Sequence, residues 1–345
     1  QFGFVKNSAA DLATVPKGLA GITKAHSAVN ATPWAFISLA LAMMMGTASL
    51  PHVMMRYFTT PSVKAARKSV GWSLFFIFLL YSSAPMLATL SKLSLIDPTL
   101  PTGIIGKSFA EVQSIDWFQN WNQANLMFIS DFNGNGTLEL NEFFMGGKAV
   151  VLATPEIAGL PYVISGLVAA GGMAAAMSTA DGLILAIANA ISHDVYYKMI
   201  DPKAETAKRL LVARVLLVVI GFAGATIAAM EIQGILGSVI WAFDFAMSGL
   251  FFPLVLGVWW KRANREGAIA GMVLGLGSAI WYLVWVRTGG SGFLGLTQLT
   301  FGIFGAAVSF VSMVVVSLMT QEPDKAIQKM VDEVRIPSGR TVTGK

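Results

Sequence analysis

Seven stretches, each near or beyond the ~20 apolar residues that a helix needs to cross a bilayer, constrain this chain more than any motif in it. They cover residues 33–58, 69–90, 161–192, 210–230, 234–260, 267–286 and 296–319. Hydrocarbon offers no partner for backbone N–H and C=O groups, so only helices and closed barrels span it. The alternation of barrel strands is absent, and the expected fold is all-α: a polytopic membrane helix bundle. Composition agrees. The 345 residues are 55% hydrophobic and 12% charged, against about 45–50% and about 25% in a soluble domain.

The loops orient the bundle. Residues 56–68 carry Arg56, Lys64, Arg67 and Lys68; residues 198–214 carry Lys198, Lys203, Lys208, Arg209 and Arg214; residues 261–265 carry Lys261, Arg262 and Arg265. They alternate with the poorly basic connections 91–160, 231–233 and 287–295. The positive-inside rule makes the basic loops and the tail after Thr320 cytoplasmic. The net charge of +5 therefore sets orientation, and no nucleic-acid partner is expected. The expected organisation is an external lead-in at 1–32, core spans at 33–260, two accessory spans at 261–320 and a cytoplasmic tail at 321–345. The chain begins with Gln and lacks cysteine; its reading frame is expected to start further upstream, and no disulfide or thiolate metal site is available.

"MAAAMSTADGLIL" lies inside the third apolar stretch. Ala175, Ser178 and Thr179 are spaced i, i+3, i+4, so they share one helix face. Gly171, Gly172, Ala174, Ala176 and Ala180 surround them and permit close approach of another backbone. Two hydroxyls and one carbonyl are neutral, hard oxygen ligands that could form part of a Na+ shell, the remaining oxygens coming from a second, unwound helix. The plainer reading is that the hydroxyls bond their own i−4 carbonyls or hold helices together. Asp181 weighs against it, because an acid within a span faces a cavity or a partner.

Two further polar interruptions are candidates. In "LAMMMGTASLPHVMM" the cluster Gly46, Thr47, Ala48, Ser49 is weakly helical and Pro51 removes a backbone donor; broken membrane helices line substrate and ion sites. The alternative is an ordinary proline kink, with His52 simply interfacial. In "SVIWAFDFAMSGLFFPLVLGVWW" Asp244 lies between Phe243 and Phe245, one turn from Trp241, where it could bind a cation, accept a proton or gate a pathway; its alternative is a structural pair with Arg or a hydroxyl. Trp259 and Trp260 followed by Lys261 and Arg262 form an interface anchor.

The long connection 91–160 contains "DFNGNGTLELNE", which fits the calcium-loop pattern of an EF-hand throughout. Asp131, Asn133, Asn135, Thr137, Glu139 and Glu142 occupy the ligand positions, and Gly136 the sharp turn. Asn ligands lower the charge, so binding of Ca2+ is expected near 10⁻⁴–10⁻³ M, with a structural role. The alternative is a Gly/Asn turn that holds no metal.

The segments "GTASLPHVMMRYFTTPSVKAARKSVGWSLFF", "AAAMSTADGLILAIANAISHDVYY" and "LVLGVWWKRANREGAIAG" together resemble the sodium/solute symporter family, and within it the bacterial cation/acetate symporter branch. The resemblance runs from about residue 33 to 319. It implies a leucine-transporter-like fold of two inverted five-helix repeats, with the first five spans here as core helices 6 to 10 and the last two as family extras. It implies Na+ binding at Ala175, Ser178 and Thr179, half of a substrate site at Gly46, Thr47 and Ser49, and a gate on core helix 10 near Asp244, with Asp181 and Trp241 as further candidates. The first repeat, which carries core helix 1, is expected in the same polypeptide outside this sequence. The calcium-like loop is not general to the family.

The expected function is secondary active symport in a bacterial inner membrane: Na+ (or H+) moving inward drives uptake of a small organic solute, a short-chain monocarboxylate such as acetate. A membrane sensor with a Ca2+-bearing external loop is the rival, against which the short tail argues. An enzyme is not expected, because His26, His52 and His193 are scattered and no catalytic set converges.

Overall fold

A computed structural model describes residues 33–335 apart from 231, 233, 293 and 294. The expected lead-in at 1–32, part of the connection 231–233 and the end of the tail lie outside the described residues. The chain forms two compact units: among the described residues, one comprises 69–179 and the other 33–68 with 180–335.

Helices dominate. They are α1 (Pro33–Ser49), α2 (Pro51–Met55), α3 (Val63–Ile96), α4 (Phe109–Gln113), α5 (Asp116–Gln123), α6 (Val150–Ile157), α7 (Tyr162–Asn189), α8 (Thr206–Ala229), α9 (Ile235–Ala246), α10 (Phe252–Trp259), α11 (Arg265–Arg287), α12 (Gly302–Met319) and α13 (Lys325–Val334). Wider π-helical turns continue α7 through Ala190–Ile200 and join α9 to α10 through Met247–Phe251. Pro253 supplies a reason for the second: it has no N–H for the carbonyl of Gly249, four residues earlier, so the ladder must shift.

Six of these helices are long and apolar enough to cross a membrane: Val63–Ile96, Tyr162–Ile200, Thr206–Ala229, Ile235–Trp259, Arg265–Arg287 and Gly302–Met319. The seventh expected span is divided. α1 has 17 residues, then Leu50 takes an extended conformation (φ −70°, ψ 119°) and Pro51 opens the short α2. Apolar side chains on the outside of the spans stand exposed, as on α8, which has no buried residue; this is the surface that lipid covers.

In the first unit the core sits in the long connection. Val112, Phe118, Met127, Leu138, Phe143 and Met145 are buried together with Leu95 at the end of α3 and Ala153 and Ile157 on α6. Burial of each large apolar side chain contributes about 1.5–3 kcal/mol. Strand β1 (Met127–Ile129) pairs antiparallel with β2 (Phe143–Met145), placing Phe128 opposite Phe144 with rings stacked 4.8 Å apart. The chain is mostly helical as expected, and this small sheet is an addition to it: aromatic residues and Ile129 flanking the Gly/Asn-rich loop pair as a hairpin. Ser108 and Glu111 cap α4 reciprocally, and Trp121 Nε1 donates to Glu156 Oε2 at 2.9 Å.

In the second unit α11 packs along α12 through small residues. A Cβ on Gly271 would lie 3.0 Å from Met313 Cβ, and one on Gly275 2.6 Å from Ser309 Cβ. Gly267, Gly271 and Gly275 recur every four residues, which keeps them on one face and lets the backbones approach. α1 packs against α9 in the same manner: a Cβ on Gly46 would lie 2.7 Å from both the Cβ and the carbonyl oxygen of Phe243. Ala42, Met247 and Ala306 close the space between them.

Candidate functional site

Residues 175–179 lie on α7 in the first unit. Ala175, Ser178 and Thr179 are exposed. Thr179 Oγ1 donates to the Ala175 carbonyl at 3.3 Å, a long bond within the helix. A Cβ on Gly171 or Gly172 would meet no atom within 4 Å among the described residues. The face therefore offers two hydroxyl oxygens and a carbonyl with a free lone pair, on a helix thinned by small side chains.

The other candidates lie in the second unit, in separate environments. The interruption of the first span falls at Leu50, one residue beyond the cluster expected to be weakly helical. Gly46, Thr47 and Ser49 all remain helical, and the two hydroxyls bond back along α1: Thr47 Oγ1 to the Met43 carbonyl at 2.6 Å, Ser49 Oγ to the carbonyls of Met45 and Gly46 at 3.0 and 2.9 Å. Gly46 serves close packing on Phe243. Asp181 is exposed and forms no ion pair among the described residues. Its neighbour Gly182 faces the His52 ring and the Arg56 guanidinium; a Cβ on Gly182 would lie 3.8 and 3.6 Å from them.

Asp244 is fully buried. Its carboxylate lies against Gly302, the first residue of α12; a Cβ there would collide with Asp244 Oδ1. Among the described residues neither carboxylate oxygen has a hydrogen-bond partner of ordinary geometry. Ser248, one turn along, donates to the Asp244 carbonyl at 2.6 Å and faces the Gly302 carbonyl at 3.1 Å. The positive end of the α12 dipole favours a negative group there. Trp241 Nε1 donates to the Gln298 carbonyl at 2.8 Å, and the Arg287 guanidinium lies 5.1 Å from the ring centre. Ser248 was readable from the sequence as the i+4 neighbour of Asp244; Gly302 had no local signal.

An open groove of about 580 Å³ lies between α2, the π-helical end of α7 and the start of α8, lined by Pro51, Met55, Asn189, His193, Asp194 and Arg209 among others. Asp194 bonds His193 at 2.9 Å and Lys198 at 3.3 Å. Arg209 stacks on Tyr197 at 3.7 Å.

In the long connection 91–160, residues 131–142 form one tight loop closed by β1 and β2, where an EF-hand would have two helices. Asp131 accepts from Gly134 N at 2.7 Å and Gly136 N at 3.0 Å; both glycines have positive φ. Asn133 and Asn135 each accept from the backbone two residues on, and their amides both donate to Glu139 Oε1. The buried Glu142 accepts from Phe132 N and Glu139 N. Among the described residues no three His, Asp or Glu side chains are gathered as a metal site. The loop oxygens are oriented by backbone N–H groups and keep further lone pairs, so the donor set suits a hard cation.

Six apolar spans, a divided helix and polar groups set within them define a multi-pass helical membrane protein. Residues 148–275 match the model of the Sodium:solute symporter family. An uncharacterized symporter of Cupriavidus necator is 42% identical over 310 residues, covering 87% of this chain and 44% of that protein. A monocarboxylic acid transporter of Corynebacterium glutamicum is 28% identical over 257 residues, covering 74% of this chain and 39% of that protein. The resemblance of the quoted segments to the sodium/solute symporter family is shown by these matches. The chain spans less than half the length of these two relatives.

Proposed function

We propose that the protein is a secondary active symporter that couples inward movement of Na+, or alternatively H+, to uptake of a small organic solute, a short-chain monocarboxylate such as acetate. The observation that carries this reading is the family match over 148–275, which takes in both the α7 polar run and Asp244. The monocarboxylic acid transporter among the relatives supports the solute class. In this reading the Ala175 carbonyl and the Ser178 and Thr179 hydroxyls bind Na+. A cation takes over the Ala175 carbonyl oxygen to which Thr179 Oγ1 now donates, and Gly46, Thr47, Ser49, Asp181, Trp241 and Asp244 line or gate the solute path.

The leucine-transporter-like arrangement belongs to the same proposal: seven spans, core helix 1 in the same polypeptide outside this sequence, a bacterial inner membrane and a cytoplasmic C-terminus. Ca2+ at Asp131, Asn133, Asn135, Thr137, Glu139 and Glu142 would staple the external loop. The deciding experiment is uptake of radiolabelled acetate by proteoliposomes carrying the complete gene product. Accumulation driven by an inward Na+ gradient is expected. No accumulation under a Na+ or a matched pH gradient would overturn the acetate assignment.

A further inference from the structure

α13 begins shortly after α12 ends and is tied to the end of α10. Lys261 Nζ bonds Asp332 Oδ2 at 2.8 Å, and Arg335 lies over the Trp259 ring at 5.5 Å. Arg262 donates to the carbonyls of Leu318, Thr320 and Gln321, joining the end of α10 to the end of α12.

At 3.6 residues per turn, α13 divides lengthwise into three sectors. Val331 is buried, with Gln328 and Asp332 half-buried beside it; this sector sits on the protein. Lys325, Lys329 and Glu333 are exposed and charged, with Lys329 and Glu333 paired at 3.6 Å; this sector suits water. Between them lies a third, made of Ala326, Ile327, Met330 and Val334. The last three are 45%, 53% and 62% exposed. Water on all free sides would leave this sector without a reason, because the adjacent exposed sector shows what the helix presents to water.

The position of the helix names the occupant. It is held by Lys261 and Trp259, part of an aromatic and basic group with Arg262 of the kind that marks the membrane interface, and Trp259 is itself 65% exposed. Leu318 and Met319, at the same end of the bundle, also present exposed apolar side chains. The apolar sector of α13 thus meets the surface that lipid covers on the spans. We propose that α13 is an interfacial helix: Ile327, Met330 and Val334 insert at the boundary between headgroups and acyl chains, Lys325, Lys329 and Glu333 face water, and the third side clamps the end of Ile235–Trp259. Such a helix lies in the plane of the interface rather than crossing it. This holds whatever solute the protein carries.

This sequence contains no cysteine, so each substitution places one label on it once any cysteine elsewhere in the complete gene product is replaced. Single-cysteine variants Ile327→Cys, Met330→Cys, Val334→Cys, Lys325→Cys, Lys329→Cys and Glu333→Cys are labelled with a nitroxide in the full-length protein, in lipid nanodiscs. Collision rates are compared for oxygen, which concentrates in lipid, and a water-soluble nickel chelate. Oxygen access exceeding nickel access at 327, 330 and 334, with the reverse at 325, 329 and 333, is expected. Nickel access dominating at all six positions would place the helix in water and overturn the proposal. Shielding of 327, 330 and 334 from both reagents would overturn it in favour of a covering protein surface, such as a second copy of the chain.

Discussion

The carboxylate of Asp244 is packed against Gly302 so closely that no residue with a side chain can stand at the start of α12. The acid is fully buried, and the hydroxyl of Ser248 ties the same two backbones together through the carbonyls of Asp244 and Gly302. An acid held in this way within a span is expensive to keep.

Asp244→Asn preserves the shape of the site while removing its ability to gain and lose a proton. The variant is expected to fold and to melt close to the parent, and to lose at least tenfold in solute uptake. Unchanged uptake by Asp244→Asn in proteoliposomes would remove Asp244 from the transport path and leave it a packing residue.

The α11–α12 seam predicts a contrast between two glycines on one helix. Gly275→Ala drives a methyl into Ser309 and the Ser248 carbonyl and is expected to cost about 1–3 kcal/mol by overpacking. Gly277 faces open space, so Gly277→Ala is expected to be neutral or to stabilise by up to about 1 kcal/mol through helix propensity. Thermal denaturation of the two variants in the same detergent distinguishes them; equal shifts would mean that the helices are not packed in this register.

Sodium dependence tests the α7 oxygens. Ser178→Ala and Thr179→Ala each delete one proposed ligand without adding bulk, and each is expected to abolish or strongly weaken the dependence of uptake on Na+. Thr179→Ser, which keeps the hydroxyl, should retain it. A Na+ response identical to the parent in both alanine variants would dismiss the site.

For the loop 131–142, millimolar Ca2+ is expected to raise the melting temperature, in keeping with affinities of about 10⁻⁴–10⁻³ M for weak sites of this loop type. Glu142→Gln keeps the acceptor for one backbone N–H but lowers the ligand charge, and should lose the Ca2+ response. A parent protein whose melting is indifferent to Ca2+, or an equal shift in Glu142→Gln, would reduce the loop to a turn.

The docking of α13 carries a pH dependence. Lys261 beside Asp332, assisted by Arg335, holds the Asp332 carboxyl below the usual carboxylate range. A depressed native value means that the pair's contribution is present above the ordinary value near 3.9 and fades as pH falls through the lower, native one. A nitroxide on Lys329→Cys should therefore become more mobile on acidification below about pH 4, and the added substitution Asp332→Asn should remove that dependence. An unchanged acid response in the double variant would assign the transition to another group.

The spans were legible in the sequence because membrane crossing depends on length and apolarity, which are local properties; six of the expected stretches appear as spanning helices and the remaining one as the divided pair α1 and α2. The turn of the calcium-like loop was legible for a similar reason, since Gly134 and Gly136 supply the positive φ it needs. Its hairpin flanks were not, because pairing Met127–Ile129 with Phe143–Met145 is a contact between separate segments. The helix break falls one residue later than composition suggests. Ser49 and Thr47 look like helix breakers, yet in an apolar setting their hydroxyls bond their own helix and leave Leu50 and Pro51 to make the bend.

The sequence by itself determined that this chain is a membrane bundle, where its helices run, and which family its segments resemble, because each of these depends on residue types and spacing along one stretch. The tertiary structure alone decided that Gly46 serves packing on Phe243, that Asp244 meets the first residue of α12, and that α13 leaves one apolar sector uncovered. Those facts depend on which surfaces meet across long separations in the chain, and no periodicity within a helix records its partner.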